Sequence, residues 1–175
     1  LNIPVIPPEE VAKLELSEFA RPRFEQAQQM APYGLPSNLD AWDGYPAARE
    51  RLFAMLTAHA TNPISLAGDT HNGWAFNLTN QKGEAVGVEW GTPGVSSPGL
   101  ERYVPLPPER MQALLKGASP ELVACDTSQR GWTHVTLTPK AAAAQWRFVS
   151  SVVEPTYQVS AGKPLVTQRN ARKLA

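Results

Sequence analysis

The chain has 175 residues, 42% apolar and 18% charged, with 16 basic and 16 acidic side chains and no formal net charge. That length favours one domain with a real core, and that composition belongs to a globular chain rather than a disordered one. A neutral balance without a basic block offers no footprint for nucleic acid or an anionic membrane. No apolar run approaches the roughly 20 residues of a spanning helix, so no transmembrane segment is expected.

Seventeen prolines, about twice the usual share of roughly 5%, call for long irregular connections. Cys125 is the only cysteine, which rules out an internal disulfide and leaves the redox compartment open. The first residue is Leu1, with no signal-peptide pattern behind it; the expectation is upstream processing or one piece of a longer polypeptide.

Residues 8 to 30 carry a charged helical pattern around Val11, Leu14 and Leu16, and Pro22 predicts a break into two short helices. Pro32, Gly34, Pro36, Ser37, Asn38 and Asp40 mark a loop. From Pro46 to about Ala60 the spacing of Leu52, Met55, Leu56 and His59 is helical, with Pro46 suited to the first turn. Ile64 begins a strand that is apolar on both faces, as a central strand covered on each side would be. Trp74, Phe76 and Leu78, then Val86, Val88 and Trp90, alternate about a turn at Asn80 to Gly83 and predict a hairpin. Gly91 to Gly99 reads as loop. Pro108 to Gly117 is a short helix with Met111, Leu114 and Leu115 inward, stopped by Gly117. Strands are predicted at Leu122–Cys125, Trp132–Thr138 and Trp146–Val153, with Pro139 to Ala144 as a connection. The tail from Tyr157 is a final strand or an arm. Three segments result: a helical and proline-rich stretch over 1–45, the main unit over 46–153 and the tail over 154–175.

The most informative residues are Ile64-Ser65-Leu66-Ala67-Gly68-Asp69-Thr70-His71-Asn72. A short apolar strand ending in Gly-Asp-x-His-Asn delivers polar side chains to a loop whose base is held by the sheet. Asp69 and His71 pair a hard oxygen with a borderline nitrogen, a donor set suited to hydrolytic metals. The blander reading is a polar turn, with Asp69 capping local N–H groups and His71 merely exposed.

Three segments together resemble the C-terminal part of PhoD-like alkaline phosphatases and phosphodiesterases. They are Trp42-Asp43-Gly44-Tyr45 with Arg49-Glu50-Arg51-Leu52, then Leu66 to Asn72, then Gly87 to Gly99 with its Gly-Thr-Pro-x-Val-x-Ser-Pro-Gly run. Arg130-Gly131-Trp132 and Trp146 are also similar to that family. The resemblance covers residues 40 to 153; residues 1 to 39 and the tail match less clearly. It implies an α/β fold, the C-terminal portion of a calcineurin-like metallophosphatase sandwich of two packed mixed sheets flanked by helices. It also implies two metal ions, iron and calcium, with Asp69 and His71 as metal ligands. Gly68-Asp69-Thr70-His71 looks like the family's closing Gly-His-x-His, with Asp69 in place of the first histidine; a carboxylate there suits a hard cation such as calcium. Members are commonly exported, which implies a periplasmic or secreted protein.

The family's earlier ligand motifs have no counterpart here: an Asp at the first strand, a second Gly-Asp loop, an Asn- or Asp-His pair. Two protein ligands do not hold two metals, so the chain is expected to be half an active site. The other half would be an N-terminal segment of the same enzyme as a second chain, with a phosphate ester as substrate.

Other residues divide between chemistry and structure. Asn72 either contacts a phosphate oxygen or orients His71, or caps its own turn. Thr92, Ser96 and Ser97 line a pocket or satisfy loop backbone. Asp43 and Arg49 pair near a substrate entrance, or serve as cap and surface ion pair. His134 is expected as a half-buried structural histidine, Cys125 as a small core residue. The tryptophans are expected mostly in the core, with Trp74 and Trp90 placed to wall a pocket. Two functions follow: a metal-dependent phosphoric ester hydrolase completed by the missing segment, or a non-catalytic interaction module holding a partner at Gly91 to Gly99.

Overall fold

Strand alternation after the Asp69 loop and helical spacing on either side of it produce a layered α/β structure. The computed structural model describes residues 8–33, 35–36 and 38–175; Leu1 to Pro7, Gly34 and Ser37 of the expected N-terminal segment lie outside them. In chain order the elements are α1 (Pro8–Val11), α2 (Ala20–Met30), α3 (Pro46–His59), β1 (Ile64–Ala67), β2 (Gly73–Thr79), β3 (Ala85–Gly91), α4 (Pro108–Ala118), β4 (Leu122–Asp126), β5 (Arg130–Leu137), β6 (Ala141–Val149), β7 (Val159–Ala161) and β8 (Leu165–Gln168).

The first sheet has the order β1-β3-β2-β4. β1 runs parallel to β3, with Leu66 opposite Trp90, while β2 pairs antiparallel with both β3 and β4. In the second sheet β6 pairs antiparallel with β5 on one side and with β7 and β8 on the other. Because side chains alternate across a strand, β2 sends Trp74 and Phe76 to one face and Ala75 to the other. Trp74 and Phe76 join Val11, Ala20, Met111, Leu115 and Leu122 in a core beneath the helices. Ala75 joins Val88, Trp90, Ala144, Trp146 and Phe148 in the core between the sheets.

Close approach of the two sheets depends on a missing side chain. A Cβ on Gly73 would lie 2.9 Å from the Trp146 ring. With hydrogen there instead, the indole lies flat on β2 and its Nε1–H donates to the Gly91 carbonyl at 3.1 Å.

The structure departs from the sequence expectations at several places. The break in the first helical region falls between α1 and α2 rather than at Pro22, which is the third residue of α2. At that position the backbone nitrogen has no partner within the helix to lose. The Ala141–Ala144 run is not a connection but the first half of β6, where Ala142 and Ala144 are buried; small side chains are what a tightly packed inter-sheet layer admits. Gly117 lies inside α4, which closes one residue later. In α3 the inward residue is Phe53, while Met55 is 64% exposed and His59 is also exposed. His134 is exposed rather than half-buried, since it shares the outward face of β5 with Trp132 and Thr136. β1 is an edge strand among the described residues, and Leu66 is 64% exposed on it. The tail forms two strands, both on β6.

That tail also closes the end of α3. Arg172 sits in left-handed backbone, φ 53°, and its Nη2 donates to the carbonyls of Thr57 at 3.1 Å and Ala60 at 2.8 Å, its Nε to that of Thr61 at 3.1 Å. The carbonyls of Thr57 and Ala60 are ones a helix end leaves without partners. Arg172→Ala is therefore expected to cost about 1–3 kcal/mol, seen as a Tm lowered by several degrees in thermal unfolding followed by circular dichroism.

Candidate metal centre

β1 ends at Ala67, and the five residues before β2 make the loop that carries Asp69 and His71. Asp69 has φ 70° and His71 has φ 60°, two left-handed non-glycine residues within three positions. Asp and His tolerate that region better than most side chains. The Thr70 N–H donates to the Gly68 carbonyl at 2.8 Å across Asp69. A bond from i to i+2 around a positive φ is the rarer and more strained kind of γ-turn, so the carboxylate is thrown outward. Asp69 is exposed, and among the described residues nothing engages its carboxylate.

His71 is held at both ends. Its Nδ1 lies 3.0 Å from the Pro98 carbonyl. A carbonyl only accepts, so Nδ1 carries the proton, and in the neutral ring Nε2 keeps its lone pair free. This is the arrangement that metal-ligating histidines adopt. The His71 carbonyl accepts from Arg130 Nη1 at 2.6 Å.

Neighbouring residues brace the loop. Trp74 Nε1 donates to Thr70 Oγ1 at 2.7 Å. Asn72 is 3% exposed; its Nδ2 donates to the Thr70 carbonyl at 2.6 Å and its Oδ1 accepts the Leu100 N–H at 3.0 Å. Both ends of this buried amide are thus engaged within the loop, on Thr70 and Leu100, as a side-chain-capped turn requires. The 91–99 loop folds over this turn: a Cβ on Gly94 would lie 3.1 Å from His71 Cβ, and the Gly94 carbonyl accepts the Gly131 N–H at 2.9 Å. Segments 66–72, 91–101 and 130–131, far apart in sequence, thus meet at one place.

The remaining candidates fall elsewhere. Thr92 Oγ1 donates within its own loop to the Pro93 carbonyl at 3.4 Å, and Ser96 and Ser97 are exposed. Arg49 lies 4.5 Å over the Phe53 ring and 3.7 Å from Glu121. A cleft of about 570 Å³ opens between α3 and the first sheet, walled by Leu52, Phe53, Leu56, Trp74 and Phe76, and it reaches Gly68 and Thr70. Trp74 walls it as expected; Trp90 instead lies in the inter-sheet core. Asp43 and Arg49 both line the cleft. Sequence reasoning missed Glu101 altogether and gave Arg130 no role. A lone Arg opening an otherwise neutral strand was the available signal.

The donor set fits a metal in part. One hard carboxylate and one imidazole of fixed tautomer face outward from a braced turn. No group of three or more ligating side chains occurs among the described residues.

A two-sheet α/β sandwich that offers a carboxylate and an imidazole from a strand-end loop has the layout of a metallophosphatase fold. The family model described as PhoD-like phosphatase matches residues 12–146. Alkaline phosphatase D of Bacillus subtilis (strain 168) is 28% identical over 138 residues, 76% of this chain and 23% of that protein. A solved structure described as "Structure of PhoD" superposes with a TM-score of 0.59 at 25% identity, covering 78% of this chain and 26% of that one. The chain belongs to the PhoD-like phosphatase family. It spans about a quarter of the length of these relatives. The family match starts at residue 12, so most of the stretch before residue 40, which matched less clearly by motif, lies within it.

Cys125 is excluded as a nucleophile. It is buried, and its thiol is pushed up from 9.0 to about 11, chiefly by burial, with Asp126 adding to the rise and Lys116 opposing it. The thiolate is the reactive form, so iodoacetamide at pH 8 should label the native chain far more slowly than the urea-unfolded chain. The folded thiol holds its proton above the unfolded one. Its contribution to stability is therefore full below pH 9 and lost as pH rises through about 11. Urea titrations of Cys125→Ala should lack that part of the alkaline fall.

Proposed function

We propose that this chain is the C-terminal part of a metal-dependent phosphoric ester hydrolase, acting on phosphomonoesters or phosphodiesters. It would supply Asp69 and His71 to a two-metal site completed by an N-terminal segment of the same enzyme, held as a second chain. The observation that carries this is the strand-end turn. Two left-handed residues present an unengaged carboxylate and a ring whose Nδ1–H is already spent on Pro98. Strain of this kind, of order 1–3 kcal/mol per residue, persists where the surroundings over-determine it, and such residues cluster at functional sites.

Bound metal ions would supply a hydroxide nucleophile and positive charge on the phosphoryl oxygens. The chain's own residues do the holding. Asp69 offers a hard anionic donor, His71 a neutral one through Nε2, and the Pro98 carbonyl keeps the imidazole in the tautomer that leaves Nε2 open. Asn72 and Trp74 stop the turn from relaxing. By resemblance the metals are iron and calcium, and the protein is exported to the periplasm or the exterior. No helix among the described residues is long and apolar enough to cross a membrane.

Packing supports a completing partner. Among the described residues β1 has a strand neighbour on one side only, and an unpaired strand edge is a ready place for another chain to pair. α3 has 14 residues yet buries only Phe53, and the cleft beneath it has apolar walls. A helix that short draws its stability from tertiary packing, and the cleft is where a partner would provide it.

Native mass spectrometry is expected to show a mass well above 19.0 kDa that separates on denaturation into this chain and a different polypeptide. The isolated chain should not hydrolyse p-nitrophenyl phosphate at enzyme-like rates; if it does, the half-site account is wrong. In the assembled enzyme, Asp69→Asn removes one anionic donor. Activity should fall by more than about 100-fold with loss of metal content, measured by p-nitrophenol release and elemental analysis. Unchanged activity and metal content would favour a non-catalytic interaction module.

A further inference from the structure

Arg130 is the one Lys or Arg buried among the described residues, at 8% exposure. A buried guanidinium is costly unless its hydrogen bonds are used, and the partners it uses are not those of a sheet. Nη1 donates to the carbonyls of His71 at 2.6 Å and Ser97 at 3.0 Å; Nη2 pairs with Glu101 Oε2 at 2.8 Å. Glu101 Oε1 in turn accepts the Gly99 N–H at 3.1 Å.

The order of these partners along the chain carries the argument. Arg130 holds the Ser97 carbonyl, the next carbonyl, Pro98, holds the His71 ring, and the next N–H, Gly99, is held by Glu101. The same guanidinium grips the backbone of His71 itself. Ring and backbone of one histidine are thus referred to a single buried cation. Its carboxylate partner fixes the loop on which the ring leans.

We propose that Arg130 and Glu101 form a positioning clasp that sets the orientation and tautomer of His71. Both act through His71: Arg130 on its backbone, and Glu101 through the loop that carries Pro98. The proposal rests on the reading of His71 as a metal ligand, but its first readout does not need a metal. Lysine cannot replace the arginine here, because one ammonium does not span two carbonyls and a carboxylate in the plane of a guanidinium fork.

The test is long-range ¹H–¹⁵N spectroscopy of the imidazoles of the ¹⁵N-labelled full chain at pH 8. His59 and His134, both exposed, serve as internal references. Wild type should show His71 predominantly protonated at Nδ1. Arg130→Lys should shift it to a mixture of tautomers, Glu101→Gln should do so to a smaller degree, and the two reference rings should not change. Added Mn²⁺ alone, at millimolar concentration, should broaden the His71 signals in wild type, with apparent affinity about 10-fold weaker in Arg130→Lys.

A folded Arg130→Lys chain that keeps the Nδ1–H tautomer and the same Mn²⁺ response would overturn the clasp and leave Arg130 a purely structural residue. Should Arg130→Lys fail to fold, Glu101→Gln decides by the same readouts. Absence of Mn²⁺ broadening at His71 in wild type would count against the metal reading. The tautomer shift would still decide the clasp.

Discussion

A backbone that leaves a strand and passes twice through left-handed conformations does not hold itself. Asp69 and His71 lie on such a path, and everything around the loop can be read as what keeps it there. Arg130 bonds the His71 carbonyl, Pro98 the ring, Asn72 the Thr70 carbonyl and Trp74 the Thr70 hydroxyl. Each is modest alone, about 0.5–1.5 kcal/mol for a neutral bond and more for a charged one. Together they are of the same order as the strain of two left-handed residues, about 1–3 kcal/mol each.

These braces come from both layers of the molecule. Trp74 belongs to β2 of the first sheet, while Arg130 opens β5 of the second. The loop's geometry therefore depends on how closely the sheets approach, and Gly73 against the Trp146 ring sets that distance. The Trp146 bond to the Gly91 carbonyl lies where β3 gives way to the 91–99 loop. Core packing and site geometry are in this way the same constraint seen at two points.

The helix side is packed unevenly. Beneath α1, α2 and α4 the core is continuous, with Leu115 and Val104 each 1% exposed. Toward α3 it opens into the cleft, and β1 is the last strand of the first sheet among the described residues. The helix layer is thus closed over α1, α2 and α4 and open toward α3, where Leu52, Phe53 and Leu56 face the cleft.

How much of this was legible in the sequence divides along physical lines. The β2–β3 hairpin, the core of α4 and the strand before Gly68 were readable because two-residue and 3.6-residue periodicities are local. The loop that sets a carboxylate beside an imidazole was legible because Asp69 and His71 are two positions apart. Where a local rule met a tertiary demand, the rule gave way: four alanines look like a connection until an inter-sheet layer requires small side chains, and Met55 fits the helical spacing of α3 yet is 64% exposed, Phe53 being the residue buried there. For Asn72 a substrate contact and a turn cap read alike in the sequence, because its bonds to Thr70 and Leu100 are invisible to spacing. The sequence by itself determined the elements and the chemistry offered at the end of β1. Only the tertiary structure decided how that chemistry is aimed, because the groups that aim it, Pro98 and Arg130, lie 27 and 59 residues from His71 and reach it only once two sheets have packed.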